Sequence, residues 1–278
     1  NLYTDDVGTS PFIVGSGSSV TNRNSDAVVV DDPIAQAIDY GGIVNVNTRI
    51  GVSGTTYPIG TLGLPVNNMI DAKTIANDRN FNQFHLFGAI DFNTSINDKE
   101  VYGGNIVDVV TLNQGYNFSG TTFRSLVLEG VQDGVITSEN CIIGDGYSGM
   151  SGLFQNTGLR GKVYLQDNIN CDFINGVSQI PGNDSPQFFI GSNNQLSIRR
   201  YSGGIEFYDI TSGTTITAEY VAGNCKILSG CTGGEIEVRG IAKLTNQSSG
   251  TTIGTDGLLI PIDAQQGINT NTELLKNK

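Results

Sequence analysis

The sequence predicts a mainly β chain wound into a single-stranded, right-handed parallel β-helix, a solenoid with a capping α-helix at its N-terminal mouth and an extended arm before that. Three observations carry this prediction. From Phe81 onward no helical period of useful length occurs, only apolar runs of four to seven residues separated by Gly, Asn, Ser and Asp. Corners are abundant and solvating charge is scarce, with 37 Gly, 7 Pro and 15% charged residues in 278. Finally, GIEFYDITSG, TTITAEYVAG, NCKILSG and GEIEVRG repeat one loose phrase, apolar residues at alternate positions and then a small-residue corner, at seven- to ten-residue spacing.

Short strands with regular corners also suit a sandwich or a barrel. Antiparallel pairing would place Asn-Gly or Asp-Gly between matched alternating runs. The three candidates, Asp133-Gly134, Asp145-Gly146 and Asn175-Gly176, do not fall that way. Stacked coils need only short strands whose inward residues pile into one column, so the solenoid is preferred and the sandwich is its rival.

Residues 1–32, rich in Ser, Asn, Thr, Gly and Asp, form an extended docking arm or linker in which Phe12, Ile13 and Val14 are the main apolar cluster. Residues 33–80 form a strand-helix adaptor and cap. Asp32 caps a short helix opened by Pro33 and closed by Gly41, and IVNVNTRIGV at 43–52 alternates as a strand with a polar outer face. A helix then spans 67–79. Pro65 disfavours helix at the residue before it, Asn67 or Asn68 accepts from a free first-turn amide, and Asp71 sits at the positive end of the dipole. Met69, Ala72, Ile75 and Ala76 fall within about a 120° arc at roughly 100° per residue, enough to bury one face. Lys73 lays its stem beside that face, and Asn80 takes the left-handed conformation that ends the helix. These residues, Asn67, Asn68, Met69, Asp71, Ala72, Ile75 and Ala76, are the expected structural cap. Residues 81–262 are the β-helix, ended by an edge strand at Pro261, and 263–278 are a C-terminal tail.

Formal charge is -12, and Arg199-Arg200 is the only adjacent basic pair, which argues against nucleic-acid binding. No apolar run reaches the ~18 residues that cross a bilayer, so membrane insertion is not expected. Cys141, Cys171, Cys225 and Cys231 have neither CxxC spacing nor a nearby histidine and are read as buried free thiols, with a Cys225 to Cys231 bridge as the alternative. No metal or cofactor is expected.

Catalysis by a β-helix would require carboxylates about 5 to 10 Å apart on the outer wall. The candidate clusters are Glu129, Asp133 and Glu139; Asp167, Asp172 and Asp184; and Glu206, Asp209 and Glu219. With 27 acidic residues and no Trp, chance clustering is the simpler explanation. His85, the only histidine, alternates with Phe84 and Leu86 and is read as structural. Arg199, Arg200 and Tyr201 are weighed as partners for a neighbouring subunit's carboxylates, and Met150 is placed in a flexible Gly-rich loop on the flank.

Residues 54–92, GTTYPIGTLGLPVNNMIDAKTIANDRNFNQFHLFGAIDF, resemble an element of bacteriophage fibre, tailspike and tail-appendage proteins, where GT-x-x-PIGT…PVNNL-x-DA-x-x-IA-x-x-RGF precedes a β-helical body. The matching residues are Gly54, Thr55, Pro58, Ile59, Gly60, Thr61, Pro65, Val66, Asn67, Asn68, Asp71, Ala72, Ile75, Ala76, Arg79 and Phe81. Lys73 and Asn80 depart from the pattern's usual aliphatic residue and glycine. The resemblance is specific over this stretch and loose to about residue 255. It implies a non-enzymatic virion structural protein, a tail fibre, tailspike or head fibre assembled in the host cytoplasm. It further implies a homotrimer, other virion proteins bound through the arm, and a host-surface glycan or receptor as a further partner. A surface-polysaccharide depolymerase of the tailspike type is the alternative.

Overall fold

The structure, a computed structural model, describes residues 38–180, 184–241 and 243–255. The arm at 1–32, the Asp32-Pro33 helix start, Pro261 and the tail at 263–278 lie outside the described residues.

The described chain is a β-solenoid of three parallel sheets; every strand pair is parallel. The first sheet has eleven strands, from Ile43–Asn47 to Thr252–Thr255. At about 4.8 Å per strand it runs roughly 48 Å along the axis. The second and third sheets have six strands each, from Ala89–Phe92 to Val177–Ser178 and from Tyr147–Ser148 to Lys243–Asn246.

The seven- to ten-residue phrase turns out to be about half a coil. TTITAEYV and GEIEVRG contribute to the first sheet, while GIEFYDI and NCKI contribute to the third. A full coil, measured between stacked residues, runs from 15 residues (Phe123 to Ser138) to 25 (Phe173 to Ile198), except the first, which takes 40 (Val44 to Phe84). FHLFGAIDF likewise splits at Gly88, whose φ of +93° turns the chain from the first sheet into the second.

One inward column of the first sheet explains the packing. Register stacks Val44, Phe84, Val101, Phe123, Ser138, Phe154, Phe173, Ile198, Ala218 and Val238 in that order, all buried. Ser138, between two phenylalanines, gives space to both rings, and its hydroxyl meets Thr157 Oγ1 at 3.4 Å. All four cysteines are buried free thiols, so no Cys225 to Cys231 bridge forms.

The helix, α1, spans Met69–Asp78, slightly shorter than the predicted span. Asn68, not Asn67, is the cap: its Oδ1 accepts Asp71 N at 2.9 Å, and its amide donates to Asp71 Oδ2 at 2.8 Å. Asn67 Oδ1 instead accepts from Ser53 Oγ at 3.0 Å and from the Asn68 amide at 2.9 Å. Met69, Ala72, Ile75 and Ala76 are buried, and α1 packs on Ile43–Asn47 and Ala89–Phe92. Asn80 has φ +57°; Phe81 N donates to Ala76 O at 2.8 Å and Asn80 N to Asn77 O at 3.3 Å, the two bonds of a Schellman end.

Two local expectations fail. The strand at 43–52 stops at Asn47, whose Oδ1 accepts from Arg49 N and Ile50 N and turns the chain. Asn45 is not on a polar outer face but only 5% exposed, because Gly60 and Val66 cover the sheet edge beside it.

A groove where the second sheet ends

The six strands of the second sheet shorten upward, four residues in each of the first three and two in each of the last three. Above Val177–Ser178 the chain passes from the first sheet to the third through Ser202-Gly203-Gly204, and one coil later through Ala222-Gly223. A wall that held strands below therefore holds only small residues above. The step leaves a groove of about 530 Å³ lined by Val177, Ser178, Ile180, Asp184, Ser185, Ser202, Gly203, Gly204, Asn224 and Lys226.

Backbone closeness shapes its floor. A Cβ on Gly204 would lie 2.4 Å from Ser185 Oγ, and one on Gly223 would lie 2.3 Å from Gly203 C, so neither position accepts a side chain without movement. Beneath the floor, Ser178 Oγ and the Tyr201 hydroxyl are buried and have no hydrogen-bond partner. The Ser178 hydroxyl interacts with that phenol, and burial pushes the Tyr201 pKa well above its ordinary value while the serine opposes the shift. Buried hydroxyls are normally paired, and these two, outside ordinary hydrogen-bond geometry, have each other.

Lys226 closes the rim. Its Nζ lies 2.6 Å from Glu206 Oε1, while Glu206 Oε2 accepts from the Tyr208 hydroxyl at 3.1 Å and from Gln187 Nε2 at 3.5 Å. Beside them, Tyr164, Phe189 and Tyr208 occupy successive coils on the outer wall of the third sheet, with ring centroids 4.6 and 4.8 Å apart and planes within 19°. These rings cover one another's faces. The ladder presents edges outward and stiffens the wall more than it offers a platform for stacking.

Each of the three carboxylate clusters is spread over different sheets and links. Glu129 lies on the second sheet, Asp133 on a link and Glu139 on the first sheet, where Glu139 accepts from Arg124 Nε at 2.8 Å. Asp172 pairs with Arg199 at 3.6 Å, Asp184 lines the groove, and Asp167 accepts Ser192 N at 2.7 Å, which holds its carboxyl below the usual range. Glu206 lies on the third sheet and Asp209 at its end, whereas Glu219, on the first, pairs with Arg239 at 3.1 Å. Arg199 thus finds its acid within the chain, and Tyr201 is core. Met150 is fully buried, not displayed on a flexible flank, because Gly149 N and Met150 N are both tied to Tyr164 O.

Sequence reasoning missed Ser178, Ser185, Asn224 and Lys226. The pairing of Gly203-Gly204 with Gly223 about one coil later is the signal that a wall was being thinned there. Among the described residues no group of three or more His, Cys, Asp or Glu is placed to hold a metal ion, and no helix is long and apolar enough to cross a membrane. No family model, no curated protein and no solved structure matches this chain.

Proposed function

We propose that this protein is a rigid structural shaft, a fibre or spike of a phage tail or capsid, built as a right-handed β-helix that assembles as a homotrimer about its long axis. One observation carries the mechanical part: the unbroken inward column from Val44 to Val238, in which each coil is packed by the next. Stacking of this kind makes stiffness independent of length, because each coil is stabilised by its nearest neighbours. The virion role and the trimer rest on the resemblance of residues 54–81 to appendage proteins.

In this reading α1 caps the N-terminal mouth and that end faces the particle. Ile38, Ile50, Leu62 and Ile70 are 73%, 71%, 70% and 52% exposed there, an apolar group suited to contact with another virion protein. The flank then meets the host surface. Light scattering of the purified chain at micromolar concentration tests the assembly, with three times the 29.5 kDa chain mass expected. A monomer would overturn the shaft reading. Antibody labelling of assembled particles tests the location, and label confined to non-particle fractions would remove it from the virion.

A further inference from the structure

We infer that a notch in the outer face of the first sheet, at the coil of Gly152–Gln155, is a docking site for a basic, apolar segment of a different protein, which seats an aliphatic or aromatic side chain flanked by Lys or Arg. The inference goes beyond the shaft reading and does not depend on it.

Glycine shapes the notch. Gly149 and Gly152 have φ of +77° and +111°, and a Cβ on them would lie 2.1 Å from Gln132 O and 2.0 Å from Ile136 O. Their coil therefore lies directly on the backbone below it, and with Met150 turned into the core it puts only small groups at the surface. The result is a hollow of about 630 Å³ between Val135 in the coil below and residues 166–170 in the coil above. Val135 is 59% exposed at its lower rim, and the half-buried Leu153 and Ile169 line it.

The surrounding wall supplies a second, independent mark. On both sides of the notch the outward positions of the first sheet carry ion pairs from coil to coil. Below it Arg124 meets Glu100 at 3.5 Å and Glu139 at 2.8 Å; above it Asp172 meets Arg199 at 3.6 Å and Glu219 meets Arg239 at 3.1 Å. Register places Leu153 between Thr137 and Asp172, and Gln155 and Ile174 between Glu139 and Arg199. The charged ladder opens here on an uncharged window with Leu153 and Ile174 facing out. An apolar centre inside a charged rim is the anatomy of a protein interface.

Charge selects the partner. Asp172 lines the notch, Asp133 precedes its lower rim, and Asp167, whose carboxyl the Ser192 N–H holds below the usual range, stands on the upper link. No Lys or Arg lines it. This chain has 27 acidic residues against 15 basic ones, so a second copy would bring like charge to the rim, whereas a basic segment brings opposite charge. Gln166 and Asn170 offer amides that both donate and accept, the complement of a peptide backbone.

A random heptapeptide library selected on the full chain and counter-selected on Val135→Lys tests this. Val135 lies at the surface, so the variant should keep the parent Tm. Enriched peptides are expected to hold Leu, Ile, Phe or Trp beside Lys or Arg, and in calorimetry the best of them should lose about tenfold in affinity to Val135→Lys. Val135→Glu, which removes the same apolar contact but adds an acid, should lose less. No enrichment over Val135→Lys, enrichment of acidic or uncharged peptides, or equal losses in the two Val135 variants would overturn the proposal. Light scattering of parent and Val135→Lys should give one mass; a smaller assembly in the variant would show that this face joins copies of the chain and would overturn it too.

Discussion

Asn175 donates its side-chain amide to Asn156 Oδ1, 3.1 Å away in the coil below, and both residues sit at positive φ, 55° and 52°. They belong to a column. Ser125, Asn140, Asn156, Asn175, Arg200, Tyr220 and Gly240 each follow a first-sheet strand or lie at its end, and all have φ between 52° and 58°. Asparagine and glycine take this left-handed conformation easily; arginine and tyrosine do not. Tyr220→Asn is therefore expected to stabilise the chain by about 1 kcal/mol, and Asn175→Val to destabilise it by about 1 to 2 kcal/mol. Urea unfolding of the two variants checks the opposite signs.

Phe173 is the ring on which the middle coils converge, with Phe154, Phe188 and Tyr201 centroids at 6.1, 6.3 and 5.9 Å. Phe173→Ala should cost about 3 to 5 kcal/mol, because nearest-neighbour packing in a solenoid leaves a cavity that distant coils cannot fill. A drop in the urea midpoint measures it.

At α1, Asn68→Ala removes both halves of a reciprocal bond with Asp71 and should cost about 1 kcal/mol. Asp71→Ala keeps the cap bond, whose donor is the Asp71 backbone N–H, but removes the carboxylate that accepts from the Asn68 amide and from Gly54 N, each at 2.8 Å, and that complements the helix dipole, so a loss of about 1 kcal/mol is expected here too. Thermal melts of the two variants measure each loss, and an unchanged Tm in Asp71→Ala would mean that its carboxylate contributes nothing at this end of the helix.

His85 carries its pKa below the ordinary value because burial disfavours the imidazolium, with Asp108 opposing. The unfolded chain then takes up this proton more readily than the native one. The contribution is complete above the unfolded pKa of about 6.5 and is lost as pH falls through the depressed native value. His85→Gln should flatten the fall in stability between about pH 7 and pH 5 relative to the parent, read from Tm at each pH.

The four cysteines should resist a thiol reagent in the native chain and all react after denaturation. Burial raises each thiol pKa, that of Cys225 to about 12, and withholds both access and thiolate. Fast labelling of any one of them under native conditions would contradict its burial.

The sequence alone determined what depends on neighbours in the chain. α1 was legible because Asn68, Asp71, Asn80 and the spacing of Met69, Ala72, Ile75 and Ala76 are local signals that tertiary packing reinforced. Alternation and small corners likewise specified short strands and their stacking. The coil length was not legible, since corners occur twice or more per coil and stacked positions lie from 15 to 40 residues apart. Tertiary structure decided the rest. Only stacking shows that one sheet thins out as another grows, that Arg199 meets Asp172 and Glu219 meets Arg239, and that Ser178 and Tyr201 bury their hydroxyls side by side. Pairing between coils joins residues about 20 positions apart, and nothing in the local period of a strand records which residue will lie above it.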